Sequence, residues 1–521
     1  MKRHVYRLLL TALCLGILSD ILFWKQGAGI NLAIFILLLL LAGSWLLLST
    51  GHSPAKKGII LLIPIIFFAV MCFYRKEPLS KFLAYSNCIV SLGILAVTYT
   101  GGYWMKYNIL DYFVKAFYLI KDIVMQPVLF FINMEKKDQE DEEATPPVKV
   151  PFAAIFRGIL LALPILLIFT WLLSSADLMF EQKLIDLQDD NLFIRSIRIF
   201  LCSYLVMGVF LHIAAQNKDT KLIGEEKPVI RKFLGFTEAA IVMGSISLLF
   251  LSFVTIQFQY FFGGNVNISE NGFSYSVYAR RGFSELIIIA AINLLLILGL
   301  SIITKRENRT QAIVFSALNC IIVIQVIIML VSAFMRLELA IDWHGFSRLR
   351  LYPQVFMIWL GILLIAIVIL EAYHRERFFT WTILLVCMGF SASINLVNVD
   401  ARIVHHNVQR TLDGSHFNVT HLANLSLDAL PALAEEFHNQ TYSPSVHEGI
   451  GAAMVCYWYS QAYADAINIE WRSFHVSEMQ ARQVFNENQI ELNRYKANIE
   501  GRIIRIQGPS GIMYECLGGM D

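Results

Sequence analysis

Charge is what this sequence has least of. Asp, Glu, Lys and Arg make up 16% of its residues, where a soluble domain carries about 25%. With 57% hydrophobic residues and a mean hydropathy of +0.59, a wholly water-exposed chain is excluded. A basic tail is also missing, and a net charge of +2 spread over many loops offers nothing that would bind nucleic acid. Cysteine and histidine occur without metal-binding spacing: there is no C-x-x-C pair, and His405, His406 and His344 lack a second set of ligands. No Walker loop, dinucleotide fingerprint, H-E-x-x-H or G-x-S-x-G sits in a convincing context, so the sequence implies no cofactor and names no reaction. The start, MKRHVYRLLLTALCLGILSD, has the basic and apolar parts of a signal peptide, but no A-x-A-like site follows. Leu13 before Cys14 is too large for a good lipoprotein cleavage box, so the segment reads as a retained first span.

What the chain has instead is a series of apolar windows long enough to cross about 30 Å of hydrocarbon. They predict eleven spans near residues 5–24, 30–49, 59–74, 82–100, 154–174, 197–214, 236–258, 283–303, 312–333, 353–371 and 379–397. The third is short, and Ser86, Asn87, Ser91 and Thr98 dilute the fourth. The predicted fold is all-α and polytopic, with a mainly helical soluble C-terminal part that ends in a small β-hairpin.

Four regions follow. Residues 1–100 hold about four spans. Residues 101–152 hold an amphipathic helix, ILDYFVKAFYLIKDIVMQPVLFFIN, suited to lying along a membrane, and then the acidic linker MEKKDQEDEEATPPVKV. Residues 153–397 form a core of about seven spans, and 398–521 a soluble domain of its own. In that last region Ser426 is placed to cap a helix, two further helical patterns follow, and RIIRIQGPSGIMYECL turns at Gly-Pro-Ser-Gly. Lys and Arg concentrate in MKRHVYR, HSPAKKG, the region around Lys121–Lys149, KDTKLIGEEKPVIRK, TKRENRT and YHRER. These are therefore expected in the cytoplasm, with the C-terminal domain outside; RKEPLSK is a mild violation. Six cysteines fall within spans. Only Cys456 and Cys516 lie in the soluble part, and a disulfide between them is expected on the oxidising side.

Polar residues gather on the expected outer face. The stretches LLSSADLMF, IQFQYFFGG with YARRGFSEL, MRLELAIDWHGFSRLRLY and NLVNVDARIVHHN bring Arg280, Arg281, Arg336, Arg348, Arg350 and Arg402 opposite Asp177, Glu285, Glu338, Asp342 and Asp400. Arginine is used throughout, and its planar fork matches a carboxylate or phosphate with two bonds. Two readings stay open: inter-helix salt bridges with headgroup anchors, or a ligand site built from Arg280, Arg281, Glu285, Arg336, Arg348, Arg350 and Asp177. Arg280 and Arg281 precede a helix whose N-terminus is itself positive, so an anion must offset them. Inside the spans, Asn293, Asn319 and Gln325, with Glu238 near one end, are candidates to line a path.

In the pieces FRGILLALPILLIFTWLLSSAD, QFQYFFGG, YARRGFSELIIIAAINL, SAFMRLEL, GFSRLRLYPQVFMIWL and NVDARIVHHNVQR, with LSLDALPAL and EWRSFHVSEMQAR, the chain resembles a family of bacterial multi-pass membrane proteins, the domain of unknown function family 4173, related to family 4153. The likeness covers roughly Lys81 to Val484 and departs at His344, where a tyrosine-like aromatic is expected. It implies a multi-pass protein of the bacterial cytoplasmic membrane and no activity. The expected function is recognition of an anionic envelope component, a lipid phosphate or cell-wall precursor, among the membrane lipids. The alternatives are a secondary transporter, or an enzyme using Asp177 or Glu285 on a lipid-linked substrate.

Overall fold

The structure, a computed structural model, describes residues 2–140, 158, 165–166, 168–180, 182–183, 191–215, 232–260, 283–373, 375, 378–414, 417–459, 470–500 and 503–517. It is an all-α polytopic membrane protein with a small terminal sheet. In chain order come α1 (Lys2–Phe23), α2 (Ile30–Ser49), α3 (Lys56–Ile59), α4 (Leu62–Tyr74), α5 (Pro78–Thr98) and the long α6 (Ile109–Glu140). They are followed by α7 (Asn191–Ala215), α8 (Phe236–Tyr260), α9 (Phe283–Ile303), α10 (Arg309–His344), α11 (Arg348–Ala372) and α12 (Phe379–Leu396). Among the described residues, 10 helices are long and apolar enough to span, with α3 and α4 counted as one. About half of the expected span at 154–174 lies outside the described residues, together with the acidic linker from residue 141 and both Arg280 and Arg281.

Local chemistry sets the helix breaks. Pro64 has no N–H to offer the carbonyl of Ile60, and the chain turns at Ile60 and Leu61, between α3 and α4. Glu77 opens α5 by accepting from the N–H groups of Leu79 (2.9 Å) and Ser80 (2.6 Å), with Pro78 at the first helical position. Helix α10 outruns its expected span. It continues through MRLELAIDWH because Leu337, Ala340 and Ile341 bury one face, and it stops at Gly345, whose φ of 77° suits glycine. At 36 residues it is about 54 Å long, well beyond the hydrocarbon thickness.

Two bundles result. Helices α8 to α11 enclose one apolar core, centred on Phe315, Ile322, Val326 and Leu337. Helices α1, α2, α4, α5, α6 and α7 form the other around two apolar clusters, one with Leu15 and Phe210 and one with Ile65 and Phe68, and α12 joins the bundles, giving Trp381 and Leu384 to the second of these clusters and Val386 to the core of α8 to α11. Grouping thus departs from chain order, since α7 packs on α1 and α6.

Beyond α12 the chain forms α13 (Val399–Gln409), α14 (Val419–Ala423), α15 (Leu430–His438), α16 (Pro444–Trp458) and α17 (Val476–Leu492) around a separate core that includes Leu430, Leu433, Ile450 and Phe485. The end is an antiparallel meander, β1 (Lys496–Glu500), β2 (Ile503–Gln507) and β3 (Met513–Leu517), with Ile504 opposite Cys516. The hairpin is therefore two strands of three. Cys456 of α16 and Cys516 of β3 are joined by a disulfide, with Cα atoms 6.0 Å apart.

Candidate functional site

The C-terminal unit seats on the membrane helices at one end through buried polar groups. Arg348, in the first turn of α11, grips Asp400 of α13 with both arms, Nε to Oδ1 at 2.8 Å and Nη2 to Oδ2 at 2.6 Å. Asp400 is fully buried, and its Oδ2 also accepts from the Ser426 amide (2.8 Å) and hydroxyl (2.6 Å). Next to it Asp428 accepts from the backbone N–H groups of Lys76 (2.9 Å) and Glu77 (2.8 Å) and from the Ser477 hydroxyl. Tyr352 of α11 donates to Glu77, and Lys76 pairs with the buried Glu478. Burial pushes Asp428 and Glu478 upward, and hydrogen bonds and cations pull them partly back.

The loop between α1 and α2 completes the seat: Ile30 N–H donates to Phe474 O (3.1 Å), and His475 Nε2 meets Ala28 O at 3.1 Å. Burial, with Lys76 and Lys81 nearby, pushes His475 down from 6.5 to about 4. The unfolded chain therefore takes up this proton as pH falls through 6.5, and the folded chain resists it until about 4. Stability present above pH 6.5 is lost across that window, by about 3 kcal/mol from this group alone. Relief at the raised carboxylates Asp428 and Glu478 acts in the opposite direction. The difference between wild type and His475→Gln isolates the histidine: thermal melts at pH 7 and pH 4.5 should show wild type losing more stability than the variant, and parallel losses would contradict this.

Around this seat the sequence-predicted arginines part company. Arg336 lies inside the bundle and donates to Gln257 Oε1 of α8 (2.7 Å), which also accepts from Ser332 (2.9 Å). Arg348 belongs to Asp400. Arg350 folds back on the turn before its helix, with Nη1 2.7 Å from Gly345 O. Glu285 is exposed in the first turn of α9 and accepts from Ser284 (2.9 Å). Asp177 is exposed and caps a local turn through the Met179 N–H at 2.7 Å. Neither carboxylate lines a cavity described below.

Arg350 does open onto a polar cavity of about 300 Å³ between the α10–α11 turn and the C-terminal unit. Arg410, His344, His421, Asn407 and Asn418 line it, with no carboxylate among its lining residues. Asn407 fixes the turn by accepting from the Phe346 N–H (2.7 Å) and donating to Phe346 O (2.9 Å). Arg410 Nη2 donates to Asp342 O at 2.5 Å. A Cβ on Gly345 would lie 2.5 Å from Asn407 Oδ1 and 2.7 Å from Arg410 Nη1, so only glycine lets these groups come this close. Behind the cavity, burial together with Arg410 and Arg402 lowers the pKa of His406, which packs edge-on against Phe346. Sequence reading missed Arg410 and Asn407. Their spacing of three residues in NVQR, which places both on one helix face, was the available signal.

Among the described residues no group of three His, Cys, Asp or Glu could hold a metal ion; His405 instead bonds Glu436 at 2.6 Å. Within the membrane, Asn293 and Asn319 are buried with no hydrogen-bond partner among the described residues, while Gln325 bonds Ser247 of α8. From Asn319 to Gln325 is six residues, or about 240° around α10, so the two amides face different neighbours. Glu238 is exposed and caps its own helix through the Gly235 N–H (2.9 Å).

The chain belongs to the family described as Domain of unknown function (DUF4153), whose model matches residues 62–436. Family 4153 is thus the one shown, and the likeness to family 4173 is not. No curated protein and no solved structure matches the chain.

Proposed function

We propose that this integral membrane protein recognises an anionic group of the bacterial cell envelope, a lipid phosphate or cell-wall precursor, in the cavity between the α10–α11 turn and the C-terminal unit. The observation that carries this reading is a pair of guanidinium groups, Arg350 and Arg410, lining one pocket with His344, His421 and two asparagines, and with no acidic residue among the lining. Guanidinium and amide donors suit phosphate oxygens, and a recess partly removed from water strengthens the attraction. The placement of Lys and Arg in the opposite loops supports an outward-facing C-terminal unit in the cytoplasmic membrane. The cavity replaces the wider ring of arginines expected from sequence, because Arg336 and Arg348 are engaged elsewhere.

The test is binding of a polyprenyl pyrophosphate to the purified protein in nanodiscs, with inorganic pyrophosphate as the free-anion comparison. Arg350→Gln and Arg410→Gln should each weaken lipid binding about tenfold, the effect of losing one charge-assisted contact of about 1.5 kcal/mol. The melting temperature should stay near wild type. Unchanged affinity in both folded variants would overturn the assignment.

A further inference from the structure

At the end of the molecule away from the C-terminal unit lies a second cavity of different character. It holds about 460 Å³ between the last half of α5, the first half of α12 and the start of α6. Val90, Ile94, Val97, Phe113, Leu119 and Leu384 give it apolar walls. Two walls are spanning helices, so the groove lies at membrane depth. Its roof is an amphipathic helix that leaves Phe113, Phe117 and Ile120 exposed, as a helix embedded at the interface does.

The one charged residue among the groove's lining is a lysine. Lys115 of α6 lines the groove and has no carboxylate partner among the described residues. Two more lysines lie on the adjoining chain: Lys106 precedes the lining residue Tyr107 and holds its Nζ over the Tyr103 ring, 5.6 Å from the centroid, and Lys57 is exposed, with its backbone carbonyl accepting from Trp104 Nε1 at 2.9 Å. Trp104 O in turn accepts from the hydroxyl of Tyr112, which lines the groove one turn before Lys115. The nearby acids are occupied elsewhere: Asp111 accepts from the Asn108 N–H (2.8 Å) and Asp122 pairs with His212 (2.8 Å). An apolar slot in the membrane with a lysine at its edge matches one molecule with both chemistries.

We propose that this groove binds an anionic phospholipid of the adjacent leaflet, one acyl chain between α5, α6 and α12 and its phosphate at Lys115, with Lys106 and Lys57 on the adjoining chain adding positive charge. Chain burial fixes depth, and the lysines select headgroup charge.

Native mass spectrometry of the detergent-purified chain with phosphatidylglycerol and phosphatidylcholine of matched chains tests it. Wild type should retain the anionic lipid preferentially, and each lysine changed to glutamine should cut that preference about fivefold. Gly93→Phe should fill the groove and reduce retention of both lipids, since a Cβ there meets only Leu119, at 4.0 Å. Ala116→Phe blocks the groove from α6, so the test stands even where Gly93→Phe does not fold. Equal retention of the two lipids by wild type, or full phosphatidylglycerol retention by a folded groove-filling variant, overturns the proposal. Soluble glycerol phosphate should not compete; if it displaces the lipid, the groove contributes nothing and the proposal fails.

Discussion

Asp400→Ala should loosen the C-terminal unit from the membrane helices, at a cost of about 3–5 kcal/mol, because it leaves Arg348 in a partly buried site without its carboxylate. The loss extends beyond one ion pair. Asp400 also holds the Ser426 amide and hydroxyl, and Ser426 leads into the turn that carries Asp428. Limited proteolysis in detergent should cut between α12 and α15 far faster in the variant, and the thermal midpoint should fall. Arg348→Lys keeps charge but gives up the two-armed geometry, so it should lie between wild type and Asp400→Ala. The double variant Arg348→Met with Asp400→Leu removes both charges and should recover part of the loss. A double variant as damaged as the sum of its parts would show that the two residues act separately.

The second large effect is expected at the disulfide. Cys456 and Cys516 are 60 residues apart, and closing a loop of that length in the unfolded chain stabilises the native state by about 4 kcal/mol. Cys516→Ser should therefore lower the melting point of the C-terminal unit while leaving the spanning helices folded, which tryptophan fluorescence and far-ultraviolet circular dichroism can separate. Both sulfurs are buried, so external reductant should act slowly on the folded protein. Peptide mapping of protein trapped directly from cells should find the bond. Free thiols there would remove the disulfide and with it the placement of this unit on an oxidising side.

Spanning helices were legible because their signal is local: a window of apolar residues reports its own burial wherever its neighbours lie. The hairpin was legible for a similar reason, as Gly-Pro-Ser-Gly turns the chain by itself. The end of α10 was not, because MRLELAIDWH has the charge density of a loop and its burial depends on α8 and α11. Strand β1 was missed because Lys-Ala-Asn-Ile-Glu has little apolar content, and pairing with β2 makes it a strand. For the site, the polar stretches were legible as stretches, but not the direction each side chain takes around its helix. Arg348 and Arg350 are two positions apart, or about 200° of rotation, so one helix cannot aim both at one ligand. The two backbone N–H groups that meet Asp428 at its Oδ2 come from residues some 350 positions earlier, a distance no pattern spans.

The seat of the C-terminal unit has a mechanical consequence. It holds the loops of the first bundle through Ala28, Lys76 and Glu77 and the second bundle through Arg348, while Tyr352 bridges directly to Glu77. The two halves are thus clasped at one face of the membrane. Any rocking of one against the other must pivot about that clasp and open widest at the opposite face.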